Sequence, residues 1–219
     1  MVKKLKIFNN FNIPGKFKKS IILIGNFDGL HSGHQKLFEL AKKYKTKYKS
    51  KVGVVTFDPI PKMFFNKKIK NYRISNFNQK VIYLKKFGVD FVINKKFDKN
   101  FSKITYYKFI KDILSKKLRS KFIFVSNNFR FGHKREGDVA QLKKYENDFG
   151  YNLINPTPLM KNKKIISSTI IRKLLEEGKL SKANTFLKRN WEIEGKVQRG
   201  RMMGQKIGFP TCNIDIENY

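Results

Sequence analysis

The sequence has 219 residues, 40% hydrophobic and 14% aromatic, which is enough apolar material for one ordinary domain with a second small one and excludes a wholly disordered chain. Its longest apolar runs, such as residues 21–25 and 122–125, are far shorter than the roughly 20 residues that a membrane helix needs. The 49 basic and 16 acidic residues give a net charge of +33, which makes a nucleic acid the first partner to consider.

Short apolar runs alternate with stretches of helical period, a pattern typical of a sheet with crossover helices. The predicted strands are residues 20–25, 52–57, 91–94, 121–126 and 151–154. The predicted helices are residues 32–48, a segment capped by Ser75 and ended by Gly88, residues 106–114, and residues 139–149 ended by Gly150. This order predicts an α/β fold with a Rossmann-like parallel sheet. Ligands should then bind beyond the carboxyl ends of the strands, in the loops after residues 25, 57, 126 and 154.

The composition changes after about residue 188. Glycines recur every four or five residues between 195 and 208, and Pro210 follows them, which is typical of strands and turns. We therefore predict one domain at residues 1–188 and a separate β-rich segment at residues 189–219.

The N-terminus and the cysteine content indicate the cellular compartment of the protein. No apolar core with a small-residue cleavage site follows the basic N-terminus, so a signal peptide is not expected. The single cysteine, Cys212, cannot form an internal disulfide and fits a reducing environment. The sequence thus favours a cytoplasmic protein.

The most informative segment is residues 25–35, GNFDGLHSGHQ, which follows the first predicted strand and opens a helix. Free N–H groups and the positive dipole end at a helix start attract phosphate, and glycines let the phosphate approach the main chain. His31 and His34 can both donate hydrogen bonds to charge that develops on a leaving group. The Gly-Lys-Ser/Thr ending of a Walker A loop is absent, and two histidines alone do not make a metal site. A polar turn whose histidines only cap the helix is the alternative interpretation.

Four further strings have a chemical interpretation. They are residues 56–61 (TFDPIP), residues 126–138 (SNNFRFGHKREGD), residues 166–172 (ISSTIIR) and residues 208–213 (GFPTCN). Residues 167–169 can cap a helix beginning near Ile170 and leave N–H groups for phosphate, with Arg172 one turn in. Phe129 and Phe131 alternate with Arg130, which suits a planar ring system beside a phosphate, although either phenylalanine could equally lie in the core.

Together these strings resemble the bacterial riboflavin kinase/FAD synthetase family, a branch of the nucleotidylyltransferase superfamily whose signature is HxGH at a helix N-terminus. The matching family patterns are TFDPHP, GxNFRFGxxRxGD, ISSTxIR and the opening of a fused kinase domain. Three positions depart from the family, namely Ile60 for histidine, Ser126 for glycine and Cys212 for a small residue. The resemblance covers nearly the whole chain.

The resemblance implies an FMN adenylyltransferase, which transfers AMP from ATP to FMN and gives FAD and pyrophosphate, with Mg²⁺ as the counter-ion of ATP. His31, His34 and Arg172 would be the catalytic residues. The ATP-binding residues would be Gly25, Asn26, Phe27, Gly33, Ser168, Thr169 and Arg172. The flavin-binding residues would be Pro59, Pro61, Asn128, Phe129 and Arg130, with Phe64 and Phe65 packed over the flavin. His133 is expected to be a solvated loop residue, and no resident metal site is expected.

The second segment resembles the start of a riboflavin kinase domain, in which Thr211 and Asn213 would bind Mg²⁺ and ATP. Such domains are six-stranded barrels of well over a hundred residues, so residues 189–219 can supply only an incomplete barrel. We therefore expect a truncated kinase segment that is poorly ordered from about residue 190 and has no kinase activity.

Two other classes of function stay open. One is a related nucleotidylyltransferase with another phosphate-bearing acceptor, such as a pantetheine or nicotinamide nucleotide. The other is a basic RNA-binding protein on a nucleotide-binding fold. Because the lysines are spread over every predicted element, and five of the eight arginines lie in glycine- or serine-containing contexts suited to phosphate, we expect no specific nucleic acid.

Overall fold

The computed structural model describes residues 5–69, 72–161, 164–201, 203–216 and 219. The strands are β1 (Lys6–Phe8), β2 (Ile21–Ile24), β3 (Val52–Asp58), β4 (Phe91–Lys96), β5 (Phe122–Phe124), β6 (Asn152–Ile154), β7 (Met160–Lys161), β8 (Lys164–Ile165), β9 (Lys196–Gln198) and β10 (Asn213–Asp215). The α-helices are α1 (Ser32–Lys47), α2 (Pro61–Phe65), α3 (Phe77–Lys86), α4 (Lys99–Ser102), α5 (Tyr106–Lys108), α6 (Val139–Lys144), α7 (Glu146–Phe149), α8 (Ser168–Glu176), α9 (Leu180–Leu187) and α10 (Met203–Lys206). A π-helix, Phe109–Lys117, continues α5.

Six of these strands form one parallel sheet in the order β1-β4-β3-β2-β5-β6. The predicted α/β class and its five strands are therefore confirmed, with β1 added at the edge. The carboxyl ends of β2, β3, β5 and β6 lie at the same edge of the sheet, as parallel pairing requires. The loops after these strands position the candidate site.

Apolar side chains pack on both faces of this sheet. On one face, Ile22 and Ile24 of β2 pack in a cluster with the π-helix. On the other face, Ile21 and Leu23 pack in a cluster with α1. The alternation follows from the two-residue period of a strand, and burial of both faces is why the strands are continuous apolar runs. A smaller cluster joins Ile74 to α8 and α9.

Helix boundaries differ from prediction where local hydrogen bonds decide them. Asn76, and not Ser75, caps α3, because its side chain accepts from Gln79 N (2.8 Å) while the Gln79 side chain accepts from Asn76 N (3.0 Å). The single helix predicted at residues 139–149 is two helices, α6 and α7, that meet at Tyr145. Gly88 and Gly150 end their helices in the left-handed region, as predicted.

The C-terminal segment has a simpler structure. Strands β9 and β10 pair antiparallel as a two-stranded sheet, and no closed barrel is formed by the described part of residues 189–219. Tyr219 nevertheless lies buried against α3, where its hydroxyl donates to Gln79 Oε1 (3.1 Å) and accepts from Glu194 N (2.7 Å).

Candidate active site

A cavity of about 970 Å³ lies at the carboxyl edge of the sheet. All four loops predicted to bear chemistry line it, through Asn26 after β2, Pro61 after β3, Asn128 after β5 and Pro156 after β6. The cavity also takes in the start of α8. The predicted site residues that line it are Gly25, Asn26, Phe27, His31, Gly33, His34, Pro61, Asn128, Phe129, Arg130, Ser168, Thr169 and Arg172.

Four predicted residues lie outside the cavity lining. Phe64 is one of them, and its ring packs against Phe65 and Phe97 at centroid distances of 5.1 and 5.2 Å. Pro59 is half-buried but outside the cavity lining, because the chain turns there and Ile60, Pro61 and Phe65 form the apolar rim in its place. Thr211 and Asn213 are exposed on the C-terminal segment. They are therefore not part of this site.

His31 and His34 form a stacked pair at the start of α1. Their ring centroids are 3.7 Å apart with 22° between the planes, and Phe27 packs edge-on against His34 at 5.2 Å. Gly33 makes this arrangement possible, since a Cβ there would lie 3.2 Å from the His31 ring and 3.4 Å from the Ile166 carbonyl. A side chain at this position would therefore press on the His31 ring, and glycine avoids that contact.

Both imidazoles are neutral at pH 7. Burial, and then the positive charges of Arg172 and Arg189, lower the pKa of His31 to about 4. Burial, and then His31 and Lys80, hold the pKa of His34 well below its usual value. The Nδ1 atoms of both rings are buried without a hydrogen-bond partner among the described residues. Two neutral rings with unused nitrogen atoms can donate to an anion without first losing a salt bridge.

Asp28 joins the histidine segment to α8. Its Oδ2 accepts from Arg172 Nη1 (2.9 Å), and its main-chain carbonyl accepts from Ser168 Oγ (2.9 Å). The Arg172 guanidinium also lies 3.8 Å above the ring centroid of Tyr72. Helix α8 begins at Ser168, capped by the Ser167 side chain, so its first N–H groups face the cavity that the histidines line.

The opposite side of the cavity is aromatic. Phe129 and Phe131 stack at 5.3 Å with 16° between their planes, and Phe109 packs against Phe131. Ser126 Oγ donates to Asn128 Oδ1 (2.9 Å), which holds the start of this loop. Arg130 pairs with Asp138 at 3.0 Å. The loop therefore presents flat apolar surface beside a guanidinium group.

His133, the third histidine, lies outside the cavity lining. It is half-buried, and its Nδ1 lies 3.2 Å from the Ser102 carbonyl oxygen. The side chain expected to be solvated is therefore only partly exposed, because it packs against α4.

Several polar residues near the site were not predicted. They are Asp28, Tyr72, Arg73, Lys80 and Arg189. Asp28 had a signal, because an aspartate between Phe27 and Gly29 in a glycine-containing loop needs a partner when it is buried. The others follow no periodic pattern, and they reach the site only through tertiary packing.

The fold and these side chains are those of an α/β domain of the nucleotidylyltransferase type, with a serine-capped helix start beside the histidine pair at the carboxyl edge of a parallel sheet. The FAD synthetase family model matches residues 14–170, and the riboflavin kinase model matches residues 187–219. This chain belongs to the FAD synthetase family.

Curated relatives agree with this assignment. The chain is 40% identical over 203 residues to the bifunctional riboflavin kinase/FMN adenylyltransferase of Buchnera aphidicola subsp. Acyrthosiphon pisum, covering 93% of this chain and 65% of the relative. It is 36% identical to the protein of the same description from Escherichia coli K12, covering 90% of this chain and 63% of the relative. The chain thus spans just under two thirds of the length of these relatives.

A solved structure shares the backbone. It is described as a macrolide-efflux protein from Streptococcus pneumoniae, and it matches with a TM-score of 0.82 and 28% identity over 97% of this chain and 70% of that one. The word efflux describes that protein, and what this chain shares with it is the fold. In the described ranges of the present chain, no helix is long and apolar enough to cross a membrane.

Proposed function

We propose that this chain is an FMN adenylyltransferase, which transfers AMP from ATP to FMN and releases pyrophosphate. One observation carries the proposal. The histidine pair and the start of α8, more than 130 residues apart in the sequence, line one cavity whose far side is aromatic. Such a cavity has room for a triphosphate at one end and a flat ring system at the other.

In the proposed reaction, the phosphate oxygen of FMN attacks the α-phosphorus of ATP and pyrophosphate leaves. The protein contributes positioning and charge stabilisation, so no covalent intermediate on the enzyme is required. His31 and His34 would donate to the triphosphate as neutral imidazoles. The first N–H groups of α8, at Ser168 and Thr169, together with Arg172, would hold the β- and γ-phosphates.

The proposed flavin side is the wall formed by Asn128, Phe129, Arg130 and Pro61. The rings would stack against the flavin while Arg130 faces its phosphate. The described residues hold no group of three or more metal-ligating side chains, so Mg²⁺ would enter with ATP, bound mainly by phosphates and water.

We further propose that the adenylyltransferase unit is residues 1–188 and that residues 189–219 are the N-terminal part of a riboflavin kinase unit. The exposed apolar side chains support this division, since Val197, Met203, Ile207 and Phe209 are each at least 60% exposed. Thr211 and Asn213 lie on that exposed segment.

The test is to incubate the purified chain with ATP, MgCl₂ and FMN and to separate the products by chromatography. We expect FAD and pyrophosphate in equal amounts, and neither when FMN is omitted. Transfer to phosphopantetheine or nicotinamide mononucleotide, and not to FMN, would replace this proposal with a different acceptor. Tight RNA binding with a steep salt dependence and no pyrophosphate would indicate the RNA-binding alternative.

A further inference from the structure

The turn that leads into His31 has an unusual backbone. Phe27 (φ 47°), Gly29 (φ 73°) and Leu30 (φ 37°) all lie in the left-handed region. Only glycine adopts this conformation readily, and the two other residues must be held in it by their surroundings. The direction in which the chain enters α1, and so the placement of His31, depends on whatever holds this turn.

Three side chains bind the three carbonyl groups of the turn. Ser168 Oγ donates to Asp28 O (2.9 Å), Arg189 Nη2 to Gly29 O (2.8 Å) and Gln35 Nε2 to Leu30 O (2.9 Å). The donors come from α8, from the segment after α9 and from α1. The turn is therefore held by three parts of the chain, of which two lie 140 and 160 residues away in the sequence.

Arg189 is itself held rigidly. Its guanidinium lies 3.9 Å above the ring centroid of Tyr83, and its Nη1 donates to Leu187 O (3.3 Å). Gln35 Nε2 also donates to Leu187 O (2.9 Å), so the residues just before Arg189 are tied to the first turns of α1. The planar fork of arginine suits this place, because it lies flat on Tyr83 while two separate nitrogen atoms bind the Leu187 and Gly29 carbonyl groups.

We propose that Arg189 is a positioning residue of the adenylyl-transfer site, which keeps His31 in place by binding the Gly29 carbonyl. Arg189 lies outside residues 14–170, which match the FAD synthetase family, and within residues 187–219, which match riboflavin kinase. A residue of the second matched segment thus completes the site built by the first. This inference rests on the proposed function, because it assigns a role within that reaction.

The experiment compares Arg189→Met, Arg189→Lys and the control Lys188→Met in the full chain. Lys188 is exposed and adjacent, so its variant removes the same charge without touching the turn. The readouts are kcat and KM for FAD formation, the ¹⁵N resonances of the His31 imidazole at pH 7, and the fraction folded by circular dichroism.

We expect Arg189→Met to lower kcat about tenfold per folded molecule with KM changed less than about twofold, since a small misplacement of a reacting group is costly. Its His31 resonances should shift. Arg189→Lys should recover part of kcat, and Lys188→Met should match the wild type in both readouts. If Arg189→Met does not fold, Arg189→Lys carries the test, and a kcat below that of wild type with shifted His31 resonances is then the expected result.

Unshifted His31 resonances in both Arg189 variants would overturn the inference, whatever happens to kcat. An equal loss of kcat in Lys188→Met would also overturn the inference, because the loss would then come from the removed positive charge and not from a displaced His31. The resonances separate this inference from the proposed function. A wild-type chain that makes no FAD contradicts the function, while the His31 spectrum still reports whether Arg189 holds the turn.

Discussion

The proposed reaction relies on two neutral histidines whose Nδ1 atoms have no hydrogen-bond partner among the described residues. We expect His31→Ala or His34→Ala to lower kcat for FAD formation by about 10²-fold or more, the usual loss when a preorganised donor is removed. Folding should be retained, because the Nδ1 atoms of the two rings bond no other described group. Turnover by the purified variants, normalised to folded protein, is the measurement.

The third histidine provides the matched control for these variants. His133 lies outside the cavity lining, so His133→Ala should keep near wild-type turnover. Wild-type turnover in both His31→Ala and His34→Ala would exclude the role that we give to the pair.

Lys80 gives a second prediction at the scale of single residues. It is 5% exposed, and burial lowers its pKa to about 8, with Asp28 and Asp58 opposing that shift and Arg73 adding to it. Because the folded pKa lies below the unfolded value of about 10.5, the cost of burying the charge is complete below pH 8 and is relieved as pH rises toward 10.5.

The free energy of unfolding of the wild type should therefore rise, relative to that of Lys80→Met, by up to about 3 kcal/mol between pH 7.5 and 10.5. Urea unfolding of both proteins at the two pH values measures the difference. Lys85→Met, which removes an exposed lysine from the same helix, should follow the wild type. A constant difference between wild type and Lys80→Met would mean that Lys80 is not buried as a cation.

The sequence predicts the residues of this site better than it predicts their contacts. Both histidines and Arg172 could be predicted because helix starts with glycine, serine and threonine have a known affinity for phosphate. The bond between Asp28 and Arg172 joins residues 144 positions apart, and no local pattern reports such a pairing. For the same reason Arg189, just beyond the predicted domain boundary, could not be connected to the turn at Gly29.

At the scale of elements, β3 and β4 form the longest pairing in the six-stranded sheet, and it contains a close contact. Gly53 lies opposite Phe91, and a Cβ on Gly53 would approach Phe91 Cζ to 2.1 Å. The Phe91 ring is fully buried and has no room to retreat. Gly53→Ala should therefore lower the free energy of unfolding by about 1–3 kcal/mol, the usual cost of overpacking a core.

Gly15→Ala is the control for this substitution. Gly15 lies outside the sheet, and no heavy atom lies within 4 Å of a Cβ at that position. Urea unfolding of both variants tests the prediction. If the two variants are equally stable, the sheet accommodates the methyl group by moving β4, and the packing described here is less rigid than the distances indicate.

The elements that could be predicted are those with a strong pattern. Strands β2 to β5 were predicted within two residues because they contain apolar runs buried on both faces. The edge strand β6 was predicted within one residue, although its Asn152 is exposed. Strand β1 was missed because Lys6–Phe8 is short and mostly exposed at the sheet edge, where lysine also discourages pairing with another chain. Helix α9 was missed because its buried residues, Ala183 and Leu187, are few, and its place depends on packing against α8.

At the scale of the whole molecule, the net charge of +33 acts on anionic substrates. Among the described residues that line the cavity, Asp28 is the only acidic one, and it is paired with Arg172. The cations of the lining are Lys36, Lys62, Arg130, Lys134, Arg135 and Arg172. Because a cleft lined by one sign of charge concentrates ligands of the opposite sign, ATP and FMN should be attracted before they bind.

Salt should weaken this attraction without affecting the chemical step. Raising KCl from 0.05 to 0.5 M shortens the screening length to about 4 Å, so the field of distant lysines is lost while direct contacts in the site remain. We expect KM for ATP and FMN to rise about three- to tenfold and kcat to change by less than about twofold. Sucrose at matched osmolality is the control for viscosity and water activity, and it should leave KM unchanged. If kcat falls with salt while KM stays constant, the cations act in the reaction itself. The prediction that the overall charge helps to capture the substrates would then be wrong.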